Sequence, residues 1–378
     1  MNSETTANHR IKTLNPPTLN SQLSILNCHR AFTLVELLVV IAIIGVLATL
    51  ITAAAVASRQ YVKVGVIKTE MHSIVMAIEE YKNIHGEYPP DLSDDAALVR
   101  HVKKRWPRFQ LPPVPNQADA IRQAINNVYQ TPAAQTILKQ IQPGDLAAIT
   151  PSTNFINSSS ACSISALPLW LGGFPENADG KFAGFDADPL APFGKHAGST
   201  PNNGLLTSND ITFSGTREKP VIELIVGKNV IFAPVLSTLV LPVLVQSKGS
   251  NDYVPYVYFR GQSDGGAGAY YQGGNIKNIS FNDFKYADWG NSTTGLGVAV
   301  PYGRSGTYNT TLANSTVAWN DPTTYQLIHP GLDGIFGVAG TDGYRSLNIA
   351  DPLNEIGQRD MDNIVNFGDG ATIKSMLP

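Results

Sequence analysis

Residues 31–36 read Ala-Phe-Thr-Leu-Val-Glu, and from Leu37 to Ala57 no side chain can ionise. Glu36 is therefore a lone carboxylate at the start of an apolar run. Such a charge costs roughly 2.5–3.5 kcal/mol on membrane-insertion scales, and it is tolerated when a cation and hydrogen bonds answer it. A second group of carboxylates, Asp333, Asp342, Asp360 and Asp362, lies in Gly-rich sequence near the C-terminus. Hard cations such as calcium take six to eight oxygens from carboxylates and carbonyls on loops of this kind. The alternative is a set of Asp-Gly turns with solvated carboxylates.

Other clusters invite plainer chemistry. The stretch 177–188 (Asn-Ala-Asp-Gly-Lys-Phe-Ala-Gly-Phe-Asp-Ala-Asp) begins like an EF-hand loop but lacks the closing Glu, so it reads as a turn. Lys103, Lys104, Arg105 and Arg108 interleave with Trp106 and Phe109. That cluster could meet lipid headgroups or nucleic acid, but a solvated helix end is the better reading in an acidic chain, and no nucleic-acid partner is expected. Tyr253, Tyr256, Tyr258, Phe259, Tyr270 and Tyr271 could stack sugars, although aromatics in strands more often pack as core. No His-Glu-x-x-His, Gly-x-Ser-x-Gly or phosphate-cradling loop occurs, so nothing invites an enzyme.

The elements that must position these groups follow from periodicity. About 20 apolar residues suffice to cross a bilayer, so 32–57 reads as a membrane-spanning helix. Ile67, Met71, Ile74, Ile78 and Tyr81 recur at spacings of three and four. The helix therefore continues as an amphipathic segment over 58–85, which Gly86 and Pro89-Pro90 end. Gly45 and Gly65 mark places for bending or close helix approach. Beyond it, Ser93 is placed to cap a helix through about Lys104, Asn116 another to Tyr129, and Thr131-Pro132 a third ending near Pro143. From about Ile211 the texture turns to strands: Val221 to Val226 and Val230 to Val235 around Gly227-Lys228-Asn229, then Thr238 to Val245 and Tyr253 to Arg260. The stretch from Gly261 to Thr311 is loop-dominated.

The segment around Glu36 resembles the N-terminal signal of type IV pilins and type II secretion pseudopilins. His29 and Arg30 precede a small residue, Ala31, then Phe32, with Glu36 four positions on. The resemblance implies that a membrane-bound prepilin peptidase cuts between Ala31 and Phe32, and that the new amine of Phe32 is methylated. It also implies that Glu36 pairs with the Phe32 amine of a neighbouring subunit during filament assembly. Ala31 stands where the family usually has Gly. The ending of the long helix, Tyr81 followed by Gly86 and Tyr88-Pro89, is similar to that of major pseudopilins, and the C-terminal Asp pattern is similar to their calcium loop. By that likeness Asp333, Asp360 and Asp362 are the ligand candidates, with Asp342 added by its chemistry. About a dozen extra residues, Thr341 to Gln358, lie inside the loop.

Removing residues 1–31 takes Arg10, Lys12, Arg30 and Glu4 from 27 basic and 30 acidic residues, leaving 24 and 29. Lys and Arg beside a span hold their side in the cytoplasm, so a single pass through a bacterial inner membrane with the head outside is expected. Cys28 leaves with the leader and Cys162 stands alone, so the mature chain has no intrachain disulfide. The expected organisation is a leader (1–31), a transmembrane assembly half-helix (32–57), an amphipathic half-helix (58–85) and an enlarged head (86–378). The head divides into a helical, acidic insert (about 93–210) and a β-rich part (about 211–378). The fold class is α+β, a long helix on a mainly antiparallel sheet. Expected partners are prepilin peptidase, copies of the chain or related pseudopilins, an inner-membrane assembly platform and lipid, with calcium as candidate cofactor. The rival reading is an anchored or secreted binding module or hydrolase with a pilin-type export signal.

Overall fold

The computed structural model describes residues 33–113, 117–129, 131, 163–176, 180–196, 198, 200–205, 210–235, 239–249, 252–262, 266, 268–272, 275–277, 279–281, 284, 289, 295–305, 317–336, 345–346, 362–368, 370 and 372–376. The chain divides into two compact units, one ending at Ala57 and one running from Ser58. The expected third helix of the insert and Cys162 lie outside the described residues, as do Asp342 and Asp360.

The long helix α1 spans Leu34–His85 without interruption. The helix runs unbroken through Gly45 and Gly65, and no atom from outside its own turns stands within 4 Å of a Cβ built at either. In the first unit its apolar side chains are all exposed. From Ser58 on, Ile67, Met71, Ile74, Ala77, Ile78 and Tyr81 are buried, which is the stripe the spacing predicts. Gly86 ends the helix at φ +74°, and its N–H donates to Lys82 O at 2.7 Å, the left-handed cap that glycine adopts most readily.

Helix α2 covers Asp95–Arg105 and α3 covers Gln117–Tyr129. The α2 cap is Asp94, whose carboxylate accepts from Ala97 N at 3.0 Å. Ser93 does not cap, because its hydroxyl donates to Asp91 Oδ1 at 2.6 Å. Asp91 is in turn claimed by a distant partner, Lys277 Nζ, at 2.8 Å, with both side chains almost fully buried.

Strands β1 (Val230–Val235), β2 (Leu239–Gly249) and β3 (Asp252–Pro255) form an antiparallel meander. The expected hairpin between 221–226 and 230–235 does not form. Instead the Asn229 side chain accepts from Ile225 N and donates to Glu223 O, tightening a turn. Val221–Val226 makes only isolated bridges, to Lys181 and Val230. The apolar run at 253–260 is likewise two strands. It changes sheets at Tyr256, so that β4 (Val257–Arg260) pairs antiparallel with Tyr325–His329, which also carries Ile364–Val365. Short strands, including Tyr302–Ser305, punctuate the loop-rich stretch.

Two buried apolar clusters result. One packs the α1 stripe, α2, α3, Trp170 and Phe174 against Phe232, Tyr258 and Leu327, and the other gathers Val243, Val257, Phe259, Tyr270, Tyr271, Trp289 and Trp319. The tyrosines that could have stacked sugars are core, apart from half-buried Tyr253. Trp106 and Phe109 are buried as well, and Arg105 pairs with Glu218 at 2.6 Å, so the basic cluster is a helix end fastened to the core. At the acidic stretch, buried Asp186 accepts from Ser214 and Asp188 N, while Asp188 pairs with Lys195 at 2.7 Å. Removing one partner of a buried ion pair typically costs about 3–5 kcal/mol. Lys277→Met is expected to lower stability in that range and Asp91→Asn/Lys277→Met to recover part of it, as read from denaturant midpoints.

Candidate functional site

The start of α1 is built by a four-residue device. Thr33 Oγ1 accepts from Glu36 N at 3.2 Å, and Glu36 Oε2 accepts from both Thr33 N and Thr33 Oγ1 at 2.9 Å. This is a reciprocal capping box of the Thr-x-x-Glu type, which satisfies orphan donors at a helix N-terminus. The Thr-x-x-Glu spacing that encodes it is present in the sequence at Thr33 and Glu36. Glu36 thus has a partner in its own chain, and its carboxylate sits where the helix dipole favours an anion.

Past it, fourteen large apolar side chains between Leu34 and Val56 are exposed, Leu34 at 79%. At roughly 1.5–3 kcal/mol per side chain removed from water, this segment leaves on the order of 20–40 kcal/mol unrealised among the described residues. Among the described residues α1 is the one helix long and apolar enough to cross a membrane.

In the second unit, the strand Tyr325–His329 runs into a turn at Gly331–Gly334. Asp362 Oδ2 accepts from Leu332 N at 2.6 Å and Asp333 N at 3.0 Å, while Asp333 Oδ1 accepts from Ile335 N at 2.8 Å. The structure therefore brings Asp333 and Asp362 together. Gly331 sits at φ +68°, and a Cβ there would lie 2.2 Å from Asp362 O, so the turn needs glycine. Lys248 Nζ donates to Leu332 O at 3.3 Å; burial holds its pKa below the usual lysine range, against the pull of Asp252, Asp333 and Asp362. Among the described residues no three His, Cys, Asp or Glu side chains are grouped to hold a metal. The pair that is present offers hard oxygens, the donor chemistry that suits calcium.

The family description "Prokaryotic N-terminal methylation motif" matches residues 26–52. The chain carries a type IV pilin-type N-terminal signal. No curated protein and no solved structure matches the chain. The matched stretch contains Ala31, Phe32 and Glu36; of these the described residues include Glu36, with its cap residue Thr33. A signal for prepilin peptidase and an apolar helix of this length are consistent with a single-pass membrane anchor.

His329, missed in the sequence, holds the head loop from below. Its Nδ1 accepts from Gly331 N at 3.1 Å, its ring packs 4.9 Å from Tyr256, and it is fully buried. Burial, with Lys248 nearby, pushes its pKa from 6.5 down to about 3. The unfolded chain binds a proton that the folded one refuses. Stability from this group is therefore complete above about pH 6.5 and is lost as pH falls toward 3. His329→Asn keeps an acceptor but does not titrate, and it is expected to flatten the fall in melting temperature between pH 6.5 and 4.

Proposed function

We propose that this chain is a pilin-like or pseudopilin subunit of a type II secretion or type IV pilus-like filament. Prepilin peptidase removes residues 1–31, Phe32 becomes the methylated N-terminus, and the apolar half of α1 is buried against lipid and then against neighbouring subunits. Copies of the chain or related pseudopilins, with an inner-membrane platform, are the assembly partners, and the head faces the outer side of the inner membrane. The observation that carries this reading is the pairing of the methylation motif with a helical surface whose large apolar side chains are exposed among the described residues.

In this reading Glu36 has two jobs. Its Oε2 caps the helix, and its charge answers the Phe32 amine of a neighbour, an amine that exists only once the leader is gone. The two jobs separate chemically, because Gln retains a capping box while lacking the charge. Glu36→Gln is expected to be cleaved normally but to lose filament formation. Thr33→Ala, which disturbs the cap by about 0.5–2 kcal/mol but keeps the charge, is expected still to form filaments, at reduced abundance. Electron microscopy of both variants reads the outcome; filaments from Glu36→Gln at wild-type abundance would refute the charge role. N-terminal mass spectrometry is expected to find Phe32 first and carrying one methyl group.

We further propose calcium as a ligand of Asp333 and Asp362, with Asp342 and Asp360 as further candidates. Chelation is then expected to lower the melting temperature of the wild type and to leave that of Asp333→Asn unchanged.

A further inference from the structure

A cavity of about 230 Å³ lies between the α1–α2 connection, the first turns of α2 and the end of β4. Its walls are of two kinds. Tyr88, Pro90 and Ala97 give an apolar side, and Glu87, Asp94, Arg100, Arg260 and Gln262 give a polar one.

The polar groups are fixed before any ligand arrives. Arg260 Nη1 donates to Gly261 O at 2.7 Å, to Thr323 O at 2.8 Å and to Thr324 O, and its guanidinium stands 5.1 Å from the Tyr88 ring centre. Gln262 Nε2 is tied to Tyr271 O at 3.0 Å, which orients the amide. Asp94 is held by capping α2 through one oxygen.

The cations of the cavity are not equivalent. Lys277 is answered by Asp91 at 2.8 Å and Arg100 by Glu87 at 3.7 Å, while buried His101 is a neutral hydrogen-bond partner of Glu87 at 2.8 Å. Arg260 makes its hydrogen bonds to carbonyls, and among the described residues it has no ion pair with a carboxylate. The larger cavity beside Ile84 and Trp106 differs here, since its Arg105 is neutralised by Glu218.

We propose that the smaller cavity binds one small hydroxylated carboxylate, the chemistry of a sugar acid. A guanidinium fork matches a carboxylate in plane and charge, which places the acid group on Arg260 with Arg100 at the mouth. Planar carboxylates and amides accept and donate in pairs, which suits neighbouring hydroxyls on Asp94, Glu87 and Gln262. The ring of Tyr88 with Pro90 offers a flat apolar wall for the carbon face of such a ligand. The volume sits just under the range of roughly 300–1,000 Å³ for drug-sized ligands, as a single sugar ring requires. This site is independent of the N-terminal signal and would give the head a ligand of its own.

The test is calorimetric titration of the full chain in detergent with glucuronate, galacturonate, glucose and acetate. One of the two uronates is expected to bind, with glucose and acetate each at least roughly tenfold weaker. Arg260→Gln should weaken uronate by a similar factor. Because Arg260 also braces three carbonyls, Arg100→Ala and Asp94→Asn serve as second variants; the Arg100 side chain is 59% exposed, and Asn still caps α2. Both are expected to melt like the wild type and to bind uronate several-fold more weakly. Absence of uronate binding, acetate binding as tightly as uronate, or uronate affinity unchanged in Arg100→Ala and Asp94→Asn would each overturn the proposal.

Discussion

The fourteen exposed side chains between Leu34 and Val56 impose the condition that everything else must meet. Water-facing apolar patches beyond a few hundred Å² mark contact with a membrane or a partner. Here the patch goes all the way round a helix, so one flat partner could not cover it. An environment that surrounds the helix is required, and both lipid and a bundle of like helices are of that kind. In lipid the helix meets the further demand that every backbone group be satisfied internally, which an uninterrupted α1 does.

From Ser58 on, the same helix changes task and is held by one face. The apolar stripe ends at Tyr81, where packing gives way to a relay of polar contacts. Arg105 Nη1 donates to Tyr81 Oη at 3.0 Å, Tyr81 lies 2.6 Å from His101 Nε2, and His101 Nδ1 lies 2.8 Å from Glu87. Burial keeps His101 below its usual pKa despite Glu87, so a neutral ring accepts from Tyr81 and donates to Glu87. Arg105 in turn is anchored by Glu218, and Trp106 Nε1 reaches the same carboxylate at 3.3 Å. The end of α1, the end of α2 and a loop 113 residues further on are thereby fixed by one hydrogen-bonded network rather than by apolar contact alone. The basic cluster is part of that fastening, which is why it reads as charge in the sequence and as structure in the fold.

How much could be read in advance depended on the range of the forces involved. The α1 stripe and its glycine stop were legible because helical period and capping are local. The signal was legible because six neighbouring residues carry it. The α2 cap was not: Ser93 and Asp94 are equally plausible alone, and the choice falls to Asp91, which is drawn to Lys277 and to Arg260 N across 169 residues. Residues 221–226 misled because a short apolar run does not reveal its partner, and Asn229 diverts the backbone. Asp333 and Asp362 were legible as acids, and their meeting was suggested by pattern. The cavity around Arg260 was invisible, since its lining comes from two stretches far apart in sequence, 87–101 and 260–277, and neither has a motif.

The capping box sharpens the energetics of Glu36. Two local bonds to Oε2 lower the cost of placing this carboxylate in an apolar setting, and the helix N-terminus adds a favourable dipole worth about 0.3–1 kcal/mol at exposed sites. None of these neutralises the charge. Hydrogen bonds from Thr33 fix where the carboxylate points, and a fixed charge is a better recognition element than a mobile one because less side-chain freedom is lost when its partner arrives. A cation meeting Glu36 in low dielectric would gain far more than it could in water. In the proposed reading the leader would keep such a cation from existing at position 32 too early, since Phe32 would be an amide until the chain is cut. Processing would therefore create the charge that assembly uses, and the cap would hold its counterpart ready.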